Sequence, residues 1–139
     1  MIWTLCATIV LLLSCSRTPV YPEPPVYRGT VRIEIEKLPE RKPRFFTFRQ
    51  GVRGINFFVV KAGGDVQSYF DACAKCYPKR LGYRYDAGRL DCRACDVSYP
   101  LNNLKDGIGS CYPIKLPGRV EAGHYVIRGE DLLAGDRYY

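Results

Sequence analysis

The sequence predicts a mostly β protein: a small sandwich or open barrel with a cysteine metal or cluster site on loops at one end. Three observations carry that expectation. Apolar residues alternate with polar ones in short runs, and no long segment beyond the first residues shows helical spacing. Ten prolines and thirteen glycines punctuate the chain in a way that suits strands and turns. Two Cys-x-x-Cys pairs and a fifth cysteine fall between the runs, where turns are expected. At 139 residues there is room for one domain with a modest core.

The first 14 residues carry no charge, and residues 9–13 are an unbroken apolar run. The run is too short to span a bilayer, which takes about 20 residues, and it suits the hydrophobic part of an export signal. Leu12-Leu13-Ser14-Cys15 resembles a bacterial lipobox, in which Cys15 takes lipid and becomes the new N-terminus. Prolines at 19, 22, 24 and 25 then make an extended, semi-rigid spacer. The expected organisation is a signal peptide over residues 1–14, a lipid-anchored Pro-rich linker over 15–29, and a β-rich cysteine-cluster domain over 30–139. The expected location is a membrane-anchored lipoprotein facing the periplasm or the cell exterior. Cleavage removes Cys6 and lipidation occupies Cys15, which leaves five cysteines for chemistry.

The elements of the domain follow from local pattern. Over residues 30–36, Val31, Ile33 and Ile35 point one way and Arg32, Glu34 and Glu36 the other, as in a half-buried strand. Pro39 and Pro43 bracket a turn that forbids continued pairing. Residues 45–49 form a second strand. Residues 55–61, the most apolar stretch of the domain, form a central one. Ala62-Gly63-Gly64-Asp65 is a hairpin signal, and residues 66–70 return to deliver Asp71-Ala72-Cys73. Leu81, Tyr83 and Tyr85 mark another strand, which turns at residues 86–89 and leads into Cys92. Residues 97–104 are strand-like but interrupted by Pro100, and residues 106–111 form a glycine-rich loop. Residues 124–128 give a last strand, and residues 130–134 one helical turn before Gly135.

The chemistry lies in Cys73, Cys76, Cys92, Cys95 and Cys111. Two residues between cysteines let the backbone curl so that both thiolates face one point. Two such knuckles close tetrahedrally around a soft metal or a cluster. Fifteen residues separate Cys76 from Cys92, and fifteen more separate Cys95 from Cys111. Five cysteines for a four-ligand centre leave one over. Either Cys73, Cys76, Cys92 and Cys95 bind and Cys111 is spare, or Cys111 binds and frees a knuckle cysteine; spacing leaves both open. It also leaves open iron, a structural zinc that only ties loops together, and disulfides with one thiol unpaired.

Asp71-Ala72-Cys73 with Cys76, Gly82-Tyr83, and Cys92 with Cys95 form a recognisable series. Tyr99-Pro100-Leu101-Asn102-Asn103-Leu104 and Gly109-Ser110-Cys111-Tyr112-Pro113 complete it. Together they resemble the FtrD-like membrane iron–sulfur proteins, ferredoxin-like components associated with ferrous-iron uptake. The resemblance runs from Tyr69 to Pro117 and more loosely on either side. Asp96 stands where a glycine usually follows the second pair, and Ser110 replaces the middle glycine of the last motif. The resemblance implies an iron–sulfur cluster or a mononuclear iron, electron transfer or metal handling, and membrane iron-uptake or respiratory components as partners. The alternative is a non-redox binding or structural module with zinc or disulfides in the same loops.

Other classes fit poorly. There is no Cys-x-x-Cys-His for covalent haem, and a Rieske centre needs two histidines where the chain has only His124. No βαβ pattern surrounds either pair, against a thioredoxin-type enzyme. No phosphate-binding loop, hydrolytic triad or carboxylate dyad is visible, so an electron carrier or metal-binding protein is expected rather than an enzyme. Asp71 and Asp91 are expected to cap turns, and Tyr77, Tyr83, Tyr85, Tyr99 and Tyr112 to cover the site. The formal charge is +7, and the excess lies early: 16 basic and 8 acidic residues through Arg93, then 5 and 6. A basic face attracts an acidic partner or anionic lipid, and export argues against nucleic acid.

Overall fold

A computed structural model describes residues 18–104 and 108–139. Eleven strands are named in chain order: β1 (Val26–Tyr27), β2 (Thr30–Glu34), β3 (Arg44–Gln50), β4 (Arg53–Ala62), β5 (Asp65–Cys73) and β6 (Tyr83–Asp86). They continue with β7 (Arg89–Cys92), β8 (Ser98–Pro100), β9 (Pro113–Leu116), β10 (Arg119–Glu121) and β11 (His124–Arg128), followed by one helical turn, α1 (Gly129–Leu133). The strands form three sheets, ordered β1-β2-β11-β10, β3-β4-β5-β9 and β6-β7-β8, and none closes into a barrel. The mostly β expectation holds.

β4 explains the architecture. Its side chains alternate between two separate cores, which is why the segment is apolar without a break. Ile55, Phe57 and Val59 enter one core with Val31 and Ile33 of β2 and Tyr125 and Ile127 of β11. Phe58 and Val60 enter the other, with Tyr83, Leu90 and Tyr99 of the small sheet and with Cys73, Cys92 and Cys111. β5 divides in the same way: Phe70 and Ala72 face the first core, Tyr69 and Cys73 the second. The central sheet is therefore buried on both faces, and the cysteines belong to one face only.

Boundaries differ from the sequence expectation where apolar pattern is absent. β2 stops at Glu34 and a 3-10 turn spans Ile35–Lys37. β10 is exposed throughout, and β9 begins on a proline, so neither shows the alternation that marks a strand. Pro113 is tolerated because β9 is an edge strand.

Residues 18–25 of the proline-rich segment form no helix or strand, and the segment lies along the body instead of hanging clear of it. The Thr47 amide donates to Pro22 O at 3.1 Å and the Tyr21 amide to Thr47 Oγ1 at 2.8 Å. Asn56 Nδ2 donates to Pro19 O at 2.6 Å, and the Tyr21 ring lies tilted against Phe45 with centroids 4.9 Å apart. The buried Thr47–Asn56 pair thus supplies polar contacts that a strand partner would otherwise give. The signal-peptide and Cys15 lipidation readings fall outside the described residues. Among the described residues no helix is long and apolar enough to cross a membrane.

Candidate metal centre

β5 carries Cys73 to the end of its sheet, where the pairing with β9 shifts register between Tyr69 and Cys73. The chain then turns: the Cys76 amide donates to Cys73 O at 3.1 Å, and a 3-10 turn over Tyr77–Lys79 follows. Ala74 donates to Tyr112 O at 3.0 Å, which ties this first knuckle to the Cys111 segment. Cys111 in turn exchanges backbone bonds with Ile108 at 2.8 and 3.0 Å. The second knuckle hangs from the β6–β7 hairpin, in which Tyr83 pairs with Cys92. Its turn closes through Asp96 N to Cys92 O at 3.0 Å, with Asp96 at φ 55°.

Gly82 sets the approach of this hairpin to β5. Its φ is 64°, and a Cβ there would lie 2.5 Å from the Asp71 carboxylate. Without a side chain the backbone passes close enough for the Tyr83 amide to donate to Asp71 Oδ1 at 2.7 Å. The Tyr21 hydroxyl donates to the other oxygen at 3.3 Å. Asp71 is 3% exposed. Burial raises its pKa from the ordinary 3.8 to about 7, against the opposing pull of the Tyr83 amide, the Tyr21 hydroxyl and Arg93. Asp71 therefore fastens the two halves of the site together. Asp91 instead sits at the surface and pairs with Arg84 at 3.4 Å.

The sulfurs of Cys73, Cys76, Cys95 and Cys111 all lie within 4.8 Å of one another. Each knuckle contributes, but unequally, and Cys92 is outside the group. Of the two arrangements open from spacing, the geometry matches the one that includes Cys111. All five cysteines are free thiols; Cys73, Cys92 and Cys111 are buried, while Cys76 and Cys95 are half-buried. Cys95 and Cys111 make the 3.8 Å sulfur contact.

The crowded thiols perturb one another. Burial pushes Cys76 up to about 11, and the neighbouring Cys95 and Cys73 act the same way. Burial and Cys95 also raise Cys111. Burial acts to raise Cys73 too, but amide donation from Lys75 and Cys76 outweighs it and leaves that thiol below its ordinary value. Cys95 is lowered in the same sense by the Val97 amide and nearby thiols. Cys92 is raised by burial, although the Ala94 and Cys95 amides donate to it. Four sulfurs at this separation cannot all ionise unless positive charge sits among them, which a metal ion supplies.

The family comparison is decisive here. Residues 38–139 match the model described as "Membrane iron-sulfur containing protein FtrD-like". The chain belongs to the FtrD-like family. Among curated proteins none matches it. The residues present fit an iron–sulfur group of the kind that the family description names. The donor set is all sulfur, which suits iron–sulfur chemistry and zinc and disfavours hard cations. Two buried hydroxyls beside it, on Tyr83 and Tyr99, have no hydrogen-bond partner among the described residues. The other candidates disperse. Tyr77 and Tyr112 are exposed, and His124 is on β11, where Nδ1 lies 3.0 Å from Ala122 O. Sequence reasoning treated Tyr83 and Tyr99 as covering residues; their orphaned hydroxyls are visible only once the sheets are packed.

Proposed function

We propose that this protein is an exported electron carrier whose iron–sulfur or iron–thiolate centre is held by Cys73, Cys76, Cys95 and Cys111. The observation that carries the reading is the convergence of those four sulfurs within 4.8 Å in a member of an iron–sulfur family. When bound, the group supplies one-electron chemistry. The chain's own residues do the rest. The knuckle amides donate to sulfur, Tyr83, Tyr99 and Phe58 exclude water on the inner side, and half-buried Cys76 and Cys95 bring the centre to the surface. Cys92 is a fifth thiol beside the centre and not a ligand in this reading.

The surroundings suit transfer to a protein partner. Lys75, Lys79 and Arg80 are exposed next to the first knuckle and form no ion pair among the described residues. Exposed Tyr77 and Tyr112 lie among them. Exposed aromatic rings and cations near the first knuckle fit an acidic redox partner in the membrane iron-uptake or respiratory machinery. Lipidation at Cys15 would hold the domain at the membrane, on the periplasmic or outer side.

The test is optical and magnetic. The full chain, purified without oxygen, is expected to show a visible absorption band that bleaches with dithionite and a paramagnetic signal in one redox state. A colourless protein with stoichiometric zinc would replace this function with a structural clasp.

A further inference from the structure

We propose that the Tyr83 and Tyr99 hydroxyls donate hydrogen bonds to the sulfur shell of the centre and thereby raise its reduction potential. The proposal rests on the electron-transfer reading above and adds the residues that tune it.

Both side chains are closed off from solvent, at 0% and 1% exposure, and both hydroxyl oxygens lack a partner among the described residues. Leaving a buried hydroxyl unpartnered forfeits its hydration with nothing in return, so native proteins rarely keep one without use. Packing does not require these oxygens. Phe58, equally buried, sits edge-on to the Tyr83 ring at 6.0 Å and fills the same layer with no polar atom. Phenylalanine at 83 and 99 would serve the core as well and without that cost.

The backbone puts the two rings in the same buried layer as the cysteines. Tyr83 on β6 pairs with Cys92, and Tyr99 on β8 pairs with Leu90, so β7 stands between them and all four residues are buried on one face. The rings meet edge to face at 6.1 Å. The charges that bear on the Tyr99 hydroxyl are those of Cys73, Cys111, Cys95 and Cys92; on Tyr83 they are those of Cys73, Tyr99 and Cys92. Tyr83 lies against Cys73 closely enough to favour its thiolate, yet without the geometry of a completed hydrogen bond. Among the described residues no carboxylate is among the charges that bear on either hydroxyl. The cysteine sulfurs of this layer are the acceptors assigned to the two hydroxyls, and each becomes a stronger one when it carries the negative charge of a metal-bound thiolate. A donor to that sulfur stabilises the more negative, reduced state, which moves the potential up.

The experiment is a redox titration of the full chain and of the Tyr83→Phe, Tyr99→Phe and doubly substituted forms, each with its iron content measured. The expected result is a negative shift of potential in each single variant and a larger one in the double variant, with iron retained. A second readout is the iron–sulfur stretching pattern in resonance Raman. It is expected to move on transfer to heavy water in the native protein, and to move less in each variant. Native potential in both iron-loaded single variants would overturn the proposal, as would a native protein whose vibrational pattern ignores heavy water. A native chain with no redox couple at all would overturn the electron-transfer reading itself, and this proposal with it.

Discussion

Asp71 is the residue on which the geometry of the site turns. Its folded pKa of about 7 lies above the ordinary 3.8, so the folded state holds the proton more tightly than the unfolded chain does. The stabilising contribution is complete below about pH 4 and is lost as the pH rises through 7, a difference of up to roughly 4 kcal/mol. Asp71→Asn keeps an oxygen for the Tyr83 amide and removes the titration. Urea unfolding at pH 5 and pH 8, at matched metal content, is expected to show native stability falling toward pH 8 and the variant falling much less. An equal fall in both would remove Asp71 as the cause. Gly82→Ala forces a Cβ against that carboxylate at a positive φ and should cost roughly 2–4 kcal/mol in the same assay. The sequence placed Asp71 and Gly82 in the right motif without their roles. A buried carboxylate under a bare backbone is a contact between segments far apart in the chain, and no local pattern encodes it.

At the scale of elements, the two knuckles look equivalent in sequence and are not so in space. Cys73 and Cys92 each end a strand and both receive amide donation from the turn after them. Only Cys73 joins the group of four, because Ala74 is bonded to the Cys111 segment while Cys92 is held inward by its pairing with Tyr83. Serine substitution separates the roles. Cys76→Ser, Cys95→Ser and Cys111→Ser are each expected to lose most of the metal, and Cys92→Ser to keep it, as read by metal per chain after gel filtration. Loss in Cys92→Ser with retention in Cys111→Ser would restore the two-knuckle arrangement. The family departures also become intelligible here. Asp96 occupies a left-handed position at φ 55°, which glycine adopts without strain, so Asp96→Gly should stabilise the turn by roughly 1 kcal/mol on thermal unfolding. Ser110 is not among the positive-φ residues, whereas Gly109 is, at 61°, so the replaced glycine was not the one the turn requires.

Over the whole molecule, the legible part was what periodicity records. β2, β4, β5 and β11 were marked by alternation or continuous apolarity, and the hairpin between β4 and β5 by its glycines. β9 and β10 were not, since an edge strand opening on proline and an exposed three-residue strand carry no such mark. The cysteines were legible as a set, but their partition into four and one depends on how three sheets meet. β4 is the hinge of that arrangement: one face completes a conventional apolar core, and the other walls a thiol-rich layer lined by aromatic rings. This second layer is expected to hold iron on four thiolates. Iron, zinc and acid-labile sulfide per chain, assayed on the full protein purified without oxygen, test that expectation. The expected result is iron at one or more equivalents per chain, with zinc far below it. Zinc near one equivalent with neither iron nor sulfide would contradict it and leave the four cysteines as a structural clasp.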